Sequence, residues 1–421
     1  MSITAAGRIA LRSRRDAAPT TTATSALTRS AARLTPALMV ANVAGYLLAV
    51  IAGRRLGSDG YGAFTALLGV LLVASVPALA LQAVVARRTA AAPDDTGVTA
   101  WARRLGHAVG GATAVAVLAA ALPLSAFLHL HRDGLAVVAI AVGCWPFALL
   151  CGEQGLLQGR DDLGRLARVV TVVGVAKLVG GVLPMAAGLG VRAALGGIAI
   201  GTAAAWVFAR RAAGPARAPA SDAAVGRELV AAISGLGALL VLANLDVLLA
   251  RHVLTPHAAG HYAAGSVVSK AAFWLPQAVA VAAFPHLADP AKHADVLRGA
   301  LRVVLGVGAL VTVGTLAAGP LMVRIAFGSA YGGIGGRLWL FAAQGTALAV
   351  VQLLLYGSIA RADRSAGLLV GLACAVEAAV VLLAVHHVIG VIGTATITAA
   401  ALAITCSVRL TVRRPGQPAP R

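Results

Sequence analysis

Charged residues are scarce in this sequence of 421 residues. Asp, Glu, Lys and Arg make up 12% of it, whereas 59% of its residues are apolar, and the mean hydropathy is +0.87. Charged residues form about 25% of an ordinary soluble domain, and a soluble chain of this length cannot bury so much apolar surface in one or two cores. The composition therefore excludes a soluble globular enzyme, and it excludes intrinsic disorder still more firmly.

Alternation of polar and apolar residues is also lacking, and an outer-membrane barrel depends on it. The apolar runs are instead continuous over about 20 residues, the length that a helix needs to cross roughly 30 Å of hydrocarbon. The sequence thus predicts an all-α polytopic membrane protein. The twelve predicted spans are residues 34–52, 63–85, 105–127, 135–157, 166–184, 193–209, 229–250, 262–286, 301–323, 338–359, 366–387 and 389–408.

Polar segments divide the chain into five regions. Residues 1–33 are basic and lack the apolar core of a signal peptide, so we expect a disordered cytoplasmic tail. A stretch rich in Pro, Ala and Arg, residues 210–228, predicts a cytoplasmic linker between two six-helix bundles, 34–209 and 229–408, and 409–421 forms a second tail. Most Lys and Arg residues lie in the tails and in the loops on the same side, which places both termini in the cytoplasm and the protein in the plasma (inner) membrane.

Motifs for metals, cofactors and catalysis are missing as well. The four cysteines lie within or at the edge of apolar runs without a CxxC pair, and Cys144 and Cys151 are too far apart on one helix for a disulfide. His257 and His261 have the spacing of a metal pair but lack a third ligand nearby. No Walker A, GxSxG or HExxH motif occurs. We therefore expect no cofactor, no metal and no enzymatic activity.

The net charge of +20 does not indicate a nucleic-acid partner, because the basic residues sit at the ends of apolar runs instead of on one polar face. The lipid bilayer is the partner that this distribution indicates. We expect the chain to be a monomer.

The two predicted bundles contain matching segments. Span 1 carries Asn42, 19 residues before Tyr61, and span 7 carries Asn244, 18 residues before Tyr262. Both halves begin on the same side of the membrane and hold six spans. They are therefore predicted to be parallel repeats related by a pseudo-twofold axis along the membrane normal, with a central cavity between them.

These segments carry a family likeness. The stretch from Asn42 to Arg88, with its turn Arg54-Arg55-Leu56-Gly57-Ser58-Asp59-Gly60-Tyr61-Gly62, resembles the first hairpin of the O-antigen-type polysaccharide flippases, a family of the multidrug, oligosaccharidyl-lipid and polysaccharide exporter superfamily. Residues 244–270 are similar to the seventh and eighth helices of that family, and residues 157–160 to its loop after helix 4. Ser58 stands where the family usually has a proline, and serine is compatible with a turn.

The resemblance implies a fold and a function. The fold is two six-helix bundles. The function is translocation of a lipid-linked oligosaccharide, usually on an isoprenyl pyrophosphate, from the inner to the outer leaflet during biosynthesis and export of cell-surface polysaccharide.

Four ionisable residues are predicted to lie deep in the membrane, where a charge costs about 2.5–3.5 kcal/mol on insertion scales. Such residues face protein or water and mark function. We hypothesise that Lys177 in span 5 and Lys270 in span 8 bind the pyrophosphate in the central cavity. The alternative is a structural ion pair between Lys270 and Asp246 of span 7. Glu377 in span 11 is the candidate for coupling transport to a proton or sodium gradient, together with Asp246.

Four further residues are weaker candidates for substrate binding. Asn42 and Asn244 occupy matching positions, where they either contact sugar or make hydrogen bonds between helices. Arg54 and Arg251 lie at the outer rim, where they either draw the pyrophosphate outward or reach to lipid phosphates.

Two other functions remain open at this point. An ion-coupled exporter of small amphiphilic drugs has the same fold, although aromatic residues, at 4%, are few for stacking planar drugs. An integral-membrane glycosyltransferase or polymerase would need a large outer loop with carboxylates, and the predicted outer loops are short.

Overall fold

The structure is a computed structural model. It describes residues 20–92, 95–130, 134–216, 226–275, 293–360 and 365–412. These residues form helices joined by short turns, without a β-strand among them. The predicted all-α fold is therefore confirmed.

The first half of the chain forms the helices Thr20–Ala74, Val76–Ala91, Val98–Ala119, Ala121–Phe127, Leu135–Gly159, Leu163–Ala186 and Gly190–Ala213. The second half forms Gly226–Val253, Pro256–Trp274, His293–Ala326, Leu338–Ala360, Ser365–Ala384 and Val388–Val412, with short turns of helix at Ser329–Tyr331 and Gly332–Gly335. Each predicted span falls mainly on helix where the structure describes it, but the helix of span 11 ends at Ala384, three residues before the predicted end at 387.

Length and composition alone qualify eight of the described helical segments as membrane spans, or nine if the bent pair Val98–Ala119 and Ala121–Phe127 is one span. One of the eight, Leu34–Ala91, contains both predicted spans 1 and 2. Span 7 is helical, as is span 8 up to Trp274, but neither is among the eight. Residues 276–286 of predicted span 8 lie outside the described residues. The chain is a multi-pass membrane protein.

The helix that carries span 1 and the start of span 2 is interrupted at a single residue. Gly57 has φ +67° and ψ 174°, whereas the residues before and after it are helical. This backbone conformation is open to glycine without steric cost. The turn predicted around Leu56-Gly57-Ser58 is therefore a kink at Gly57 that directly joins two helical segments.

The helix of span 1 begins at Thr20, inside the segment predicted to be a disordered tail. Ala, Leu and Arg in this segment are good helix formers, and extending an existing helix is cheaper than starting one. Residues 1–19 lie outside the described residues. The predicted linker 210–228 is likewise shortened by the two helices that flank it, which end at Ala213 and begin at Gly226.

The two halves repeat the same packing. In the first half, span 4 packs against spans 2, 3 and 6, and span 5 packs against spans 1 and 6. In the second half, span 10 packs against spans 8, 9 and 12, and span 11 packs against spans 7 and 12. Each neighbouring pair has its counterpart six spans later. The two-bundle architecture predicted from the repeats is therefore observed.

Contacts between the halves run mainly from spans 1 and 2 to spans 7 and 8. The molecule has two ends along the span direction. We call the end with the chain termini the terminal end, and the end with the turns after spans 1, 3, 7 and 9 the distal end.

A buried ion pair lies at the terminal end. Its carboxylate belongs to Glu153, which is 1% exposed. Its carboxylate accepts hydrogen bonds from Arg103 Nε at 2.7 Å and Nη2 at 3.2 Å, and Arg103 Nη2 also donates to the Gly214 carbonyl at 2.7 Å. This paired geometry compensates the burial of the carboxylate and joins the ends of spans 3, 4 and 6.

Candidate functional site

A cavity of about 240 Å³ lies where spans 1 and 2 of the first half face span 8 of the second. Its polar lining residues are Asn42, Thr65, Ser266 and Lys270. Its aromatic lining residues are Tyr46, Tyr61, Phe64 and Trp274. The cavity therefore combines one cationic group, several hydroxyl and amide groups, and aromatic rings.

Lys270 is half-buried on span 8, where the helix Pro256–Trp274 directs it into this cavity. It is near enough to Asp246 for the two charges to interact electrostatically. Among the described residues, however, no ion pair within 4.0 Å joins Lys270 to Asp246. The structural ion pair considered as the alternative role is thus not formed as a direct contact here.

Asp246 is 2% exposed and has neutral hydrogen-bond donors instead. Its Oδ2 accepts from the Tyr262 hydroxyl at 2.8 Å and from Gln344 Nε2 at 3.0 Å. The Ser269 hydroxyl donates to Gln344 Oε1 at 2.6 Å and so orients that amide. Asp246 Oδ1 is buried, and among the described residues it has no hydrogen-bond partner.

Glu377 of span 11 belongs to the same buried region. It is 2% exposed and interacts electrostatically with Asp246. Its Oε1 is also buried, without a hydrogen-bond partner in the part of the chain that the structure describes. The structure thus brings the two predicted coupling carboxylates together and leaves one oxygen of each open to a proton or a cation.

Lys177 lies elsewhere. It is half-buried in a second cavity of about 50 Å³, formed by spans 2, 4, 5 and 6 of the first half. Its Nζ is 4.7 Å from the centre of the Phe147 ring, a distance typical of a cation–π contact. Leu72 lines both cavities, so only a thin wall separates them. The two lysines predicted to share one cavity occupy adjacent ones.

The matching asparagines have different surroundings. Asn42 is exposed to the cavity between the halves. Asn244 is buried, and its Nδ2 donates to the Leu240 carbonyl of its own helix at 2.8 Å. The expected hydrogen bond between helices is therefore replaced by one within a helix.

The matching arginines lie at the distal end and face helix ends. Arg54 Nε donates to the Ala326 carbonyl at 2.8 Å, and its Nη2 donates to the Ile325 carbonyl. Arg251 is 7% exposed, and its Nε donates to the Leu128 carbonyl at 3.1 Å.

Sequence reasoning missed the residues that hold Asp246. Gln344 is one of two amides in span 10, the other being Gln352. Ser269 stands beside Lys270. A buried amide in a membrane span requires a hydrogen-bond partner. A search for amides in apolar runs would therefore have found Gln344, although only the fold pairs it with Asp246.

Comparisons with known proteins support the fold. No family model matches the chain, and no curated protein matches it. Among solved structures, it is similar to a multidrug resistance MATE family transporter of the MOP superfamily in an inward-facing conformation, with 12% identity over 91% of this chain and 98% of that one and a TM-score of 0.71.

Two further structures extend this comparison. The lipid II flippase MurJ in an inward closed conformation has 11% identity over 90% of this chain and 87% of that one, with a TM-score of 0.70. A MATE family transporter in an outward-facing conformation has 14% identity over 91% and 95%, with a TM-score of 0.61. The resemblance seen in the sequence is thus confirmed at the level of the fold, which is that of the MOP superfamily transporters.

Proposed function

We propose that this chain is a flippase that moves an isoprenyl-pyrophosphate-linked oligosaccharide across the plasma membrane by alternating access. The observation that carries the proposal is a cavity between two repeated bundles with a cationic group, Lys270, deep in its wall. A pyrophosphate leaves water only when cationic or hydrogen-bonding groups replace its hydration. The lysine meets that need from the second half, while the amide of Asn42 and the aromatic rings suit the sugar.

Coupling to an ion gradient follows from the buried carboxylates. Asp246 and Glu377 each keep one oxygen without a hydrogen-bond partner among the described residues, and a buried carboxylate needs a proton, a cation or a donor. Lys270 lies in the field of Asp246. A proton or sodium ion at the carboxylates therefore changes the potential at the substrate cavity, which links ion binding to pyrophosphate binding.

Lys177 supplies a second cationic point next to the first. The wall between the two cavities is formed in part by the flexible side chain of Leu72. A shift of span 2 relative to span 5 would join the two cavities. We propose that Lys177 takes over the pyrophosphate in another state of the cycle.

The orientation belongs to the same proposal. The basic residues of the tails and of the loops at the terminal end support a cytoplasmic location for that end. The distal end then faces outward, and the substrate enters from the inner leaflet as its isoprenyl tail stays in lipid. We propose that one chain is sufficient for this cycle.

A drug exporter is the second candidate, because four aromatic residues line the cavity although such residues are rare in the chain. Aromatic rings stack on planar drugs as well as on sugars. Lys270, however, repels cationic drugs, which would therefore need the neutral form of the lysine. Anionic or neutral amphiphiles are the drug class that fits this cavity.

Purified protein in lipid vesicles tests the proposal. A fluorescent isoprenyl-pyrophosphate oligosaccharide is incorporated, and a membrane-impermeant quencher measures how fast it changes leaflet. The intact protein is expected to flip this lipid, and Lys270→Gln is expected to flip it roughly tenfold more slowly, since a hydrogen bond to a charged group contributes about 1.5–3 kcal/mol. Arg302→Gln, which changes an exposed arginine of span 9, is the matched control and keeps the parent rate.

Two results would contradict the proposal. No flipping by folded protein under any ion gradient would exclude the pyrophosphate-linked substrate. Extrusion of neutral amphiphiles without flipping of the glycan lipid would favour the drug exporter.

A further inference from the structure

The two matching sequence segments meet each other at the distal end. The Ser58 hydroxyl of the first half lies 2.8 Å from His257 Nδ1 of the second. Gly260 packs against the backbone of Ser58. The two are so close that a Cβ added at Gly260 would lie 2.0 Å from the Ser58 carbonyl oxygen. We call this junction the distal seam: residues 57–62, which are Gly57 and the start of the helix after it, in contact with residues 255–260, which are Thr255 and the first turn of the helix Pro256–Trp274.

Arg54 fastens one side of the seam. It stands at the end of span 1 and donates to the last two carbonyls of the helix His293–Ala326, which is span 9 of the other half. The last carbonyls of a helix have no partner within it and carry the negative end of its dipole. The guanidinium of Arg54 donates hydrogen bonds to these carbonyls and places a positive charge at the negative end of the dipole. Arg54 therefore caps a helix of the opposite half.

Arg251 fastens the other side in the same manner. It stands at the end of span 7 and donates to the Leu128 carbonyl, directly after the helix Ala121–Phe127 that ends span 3. The neighbouring His252 adds a hydrogen bond from Nδ1 to the Phe127 carbonyl at 2.8 Å, and its ring stacks on that of Phe127 with centroids 4.1 Å apart. This cap is more deeply buried than the one made by Arg54.

The two caps correspond span by span under the internal repeat, although Arg54 lies 7 residues before Tyr61 and Arg251 lies 11 residues before Tyr262. Span 7 corresponds to span 1, and span 9 corresponds to span 3. Each half therefore contributes an arginine from its first span and receives one at the end of its third span. Two unrelated surface arginines would not show this reciprocity.

We infer that Arg54 and Arg251 are reciprocal latches that hold the distal seam closed and must release helix ends before the cavity opens at the distal end. This inference rests on the proposed alternating-access function.

Tyr331 supports the Arg54 latch. Its hydroxyl donates to the Gly53 carbonyl at 2.9 Å, immediately before Arg54. Burial, and secondarily the charge of Asp59, raise the pKa of Tyr331 to about 12, so the hydroxyl keeps its proton at physiological pH. The end of span 1 is thus held by two donors to backbone carbonyls, one contributed by each half.

Cross-linking across the seam tests the latches without any substrate. Ser58 and His257 are replaced by cysteines in a chain whose four native cysteines are alanines, and a protease site is placed in residues 217–225. Mild oxidation in membranes followed by cleavage leaves the halves joined only if the seam was closed. Arg54→Gln and Arg251→Gln are each expected to slow cross-linking roughly tenfold, the effect of losing a hydrogen bond to a charged group. The neighbouring exposed Arg55→Gln is the matched control and is expected to cross-link at the parent rate.

The second variant adds steric bulk at the distal seam. Gly260→Ala places a methyl group against backbone that cannot move aside, and it is expected to reduce cross-linking at least as strongly as the loss of a latch. Gly111→Ala, at a helical glycine with open space around it, is the control and leaves cross-linking unchanged.

The outcomes are distinct. If Arg54→Gln cross-links as fast as Arg55→Gln in protein of normal abundance, the latch inference is overturned. If the buried Arg251→Gln does not accumulate, Arg54→Gln decides alone, because its side chain is exposed. A failed glycan-flipping assay with altered cross-linking would overturn the proposed substrate and leave the latches standing.

Discussion

The interiors of the two halves have the same helix packing but opposite chemistry. The second half buries two carboxylates, Asp246 and Glu377, and surrounds one of them with the donors Tyr262 and Gln344. Midway along its spans, the first half instead places the cation Lys177 against the Phe147 ring. Its buried carboxylate, Glu153, lies at the terminal end and is paired with Arg103. An internal repeat therefore conserves packing, while each copy is free to acquire its own ionisable groups.

This difference indicates a division of labour. Carboxylates with an open oxygen suit exchange of a proton or cation, whereas a lysine without a described acidic partner suits an anion. Lys270 links the two halves. It belongs to the second half, interacts electrostatically with Asp246 and lines the cavity between the second half and the first. Substitutions in one half at a time test this division.

The largest effect is expected from Asp246→Ala. The change removes the acceptor of two buried donors and leaves the Tyr262 hydroxyl and Gln344 Nε2 unsatisfied, at a cost of roughly 2–4 kcal/mol in the free energy of unfolding. Thermal unfolding in detergent measures it. Asp295→Ala is the control, because its exposed ion pair with Arg298 contributes at most about 1 kcal/mol. Equal melting temperatures for the two variants would show that the Asp246 cluster is not structural.

Substitution of the two lysines is expected to change the free energy of unfolding in opposite directions. Lys270→Met leaves Asp246 without its neighbouring cation and should lower the free energy of unfolding by about 1–2 kcal/mol. Lys177→Met replaces a desolvated charge on an apolar wall by an apolar side chain of similar length and should raise it by about 1 kcal/mol. The same unfolding assay measures both. If both variants were destabilised by a similar amount, the expected difference between the lysine environments of the two halves would be wrong.

Glu377→Gln tests coupling with a smaller effect on stability. The amide keeps the size of the side chain but cannot bind a proton or a sodium ion as a carboxylate does. Flipping by the parent protein is expected to respond to an imposed proton or sodium gradient, and flipping by the variant is expected to proceed at one rate with or without it. Glu228→Gln, in an exposed ion pair with Arg87, should retain the response. A variant that still responds fully would assign coupling to Asp246 alone.

The sequence alone predicted the helical membrane fold, the spans and the relation between the halves, because continuous apolar runs and the spacing of Asn and Tyr are local patterns. It also singled out Asp246, Lys270 and Glu377, which the structure brings into one region where Asp246 interacts electrostatically with the other two. It did not predict that Gln344, 98 residues from Asp246, donates to it, since that contact depends on how spans 7 and 10 pack.

The roles of the arginines show the same limit. Hydropathy places Arg54 and Arg251 at the rim of the membrane, where lipid phosphate and substrate are the obvious partners. The carbonyls that they bind belong to helix ends in the other half, and no local pattern marks such an end as a partner. Only the arrangement of the two bundles turns a pair of rim arginines into reciprocal caps.

The smallest effect is expected at the matching asparagines, and it separates folding from function. Asn244→Ala removes a hydrogen bond within its own helix and should lower the free energy of unfolding by about 0.6 kcal/mol, the average for polar contacts in membrane helices, without changing the flipping rate. Asn42→Ala changes an exposed side chain in the cavity and should leave unfolding unchanged while slowing flipping several-fold, since a neutral hydrogen bond to substrate contributes about 0.5–1.5 kcal/mol. Unfolding and flipping measured on both variants test this. A loss of flipping in Asn244→Ala alone would reverse the assignment and move substrate contact into the second half, beside the carboxylates.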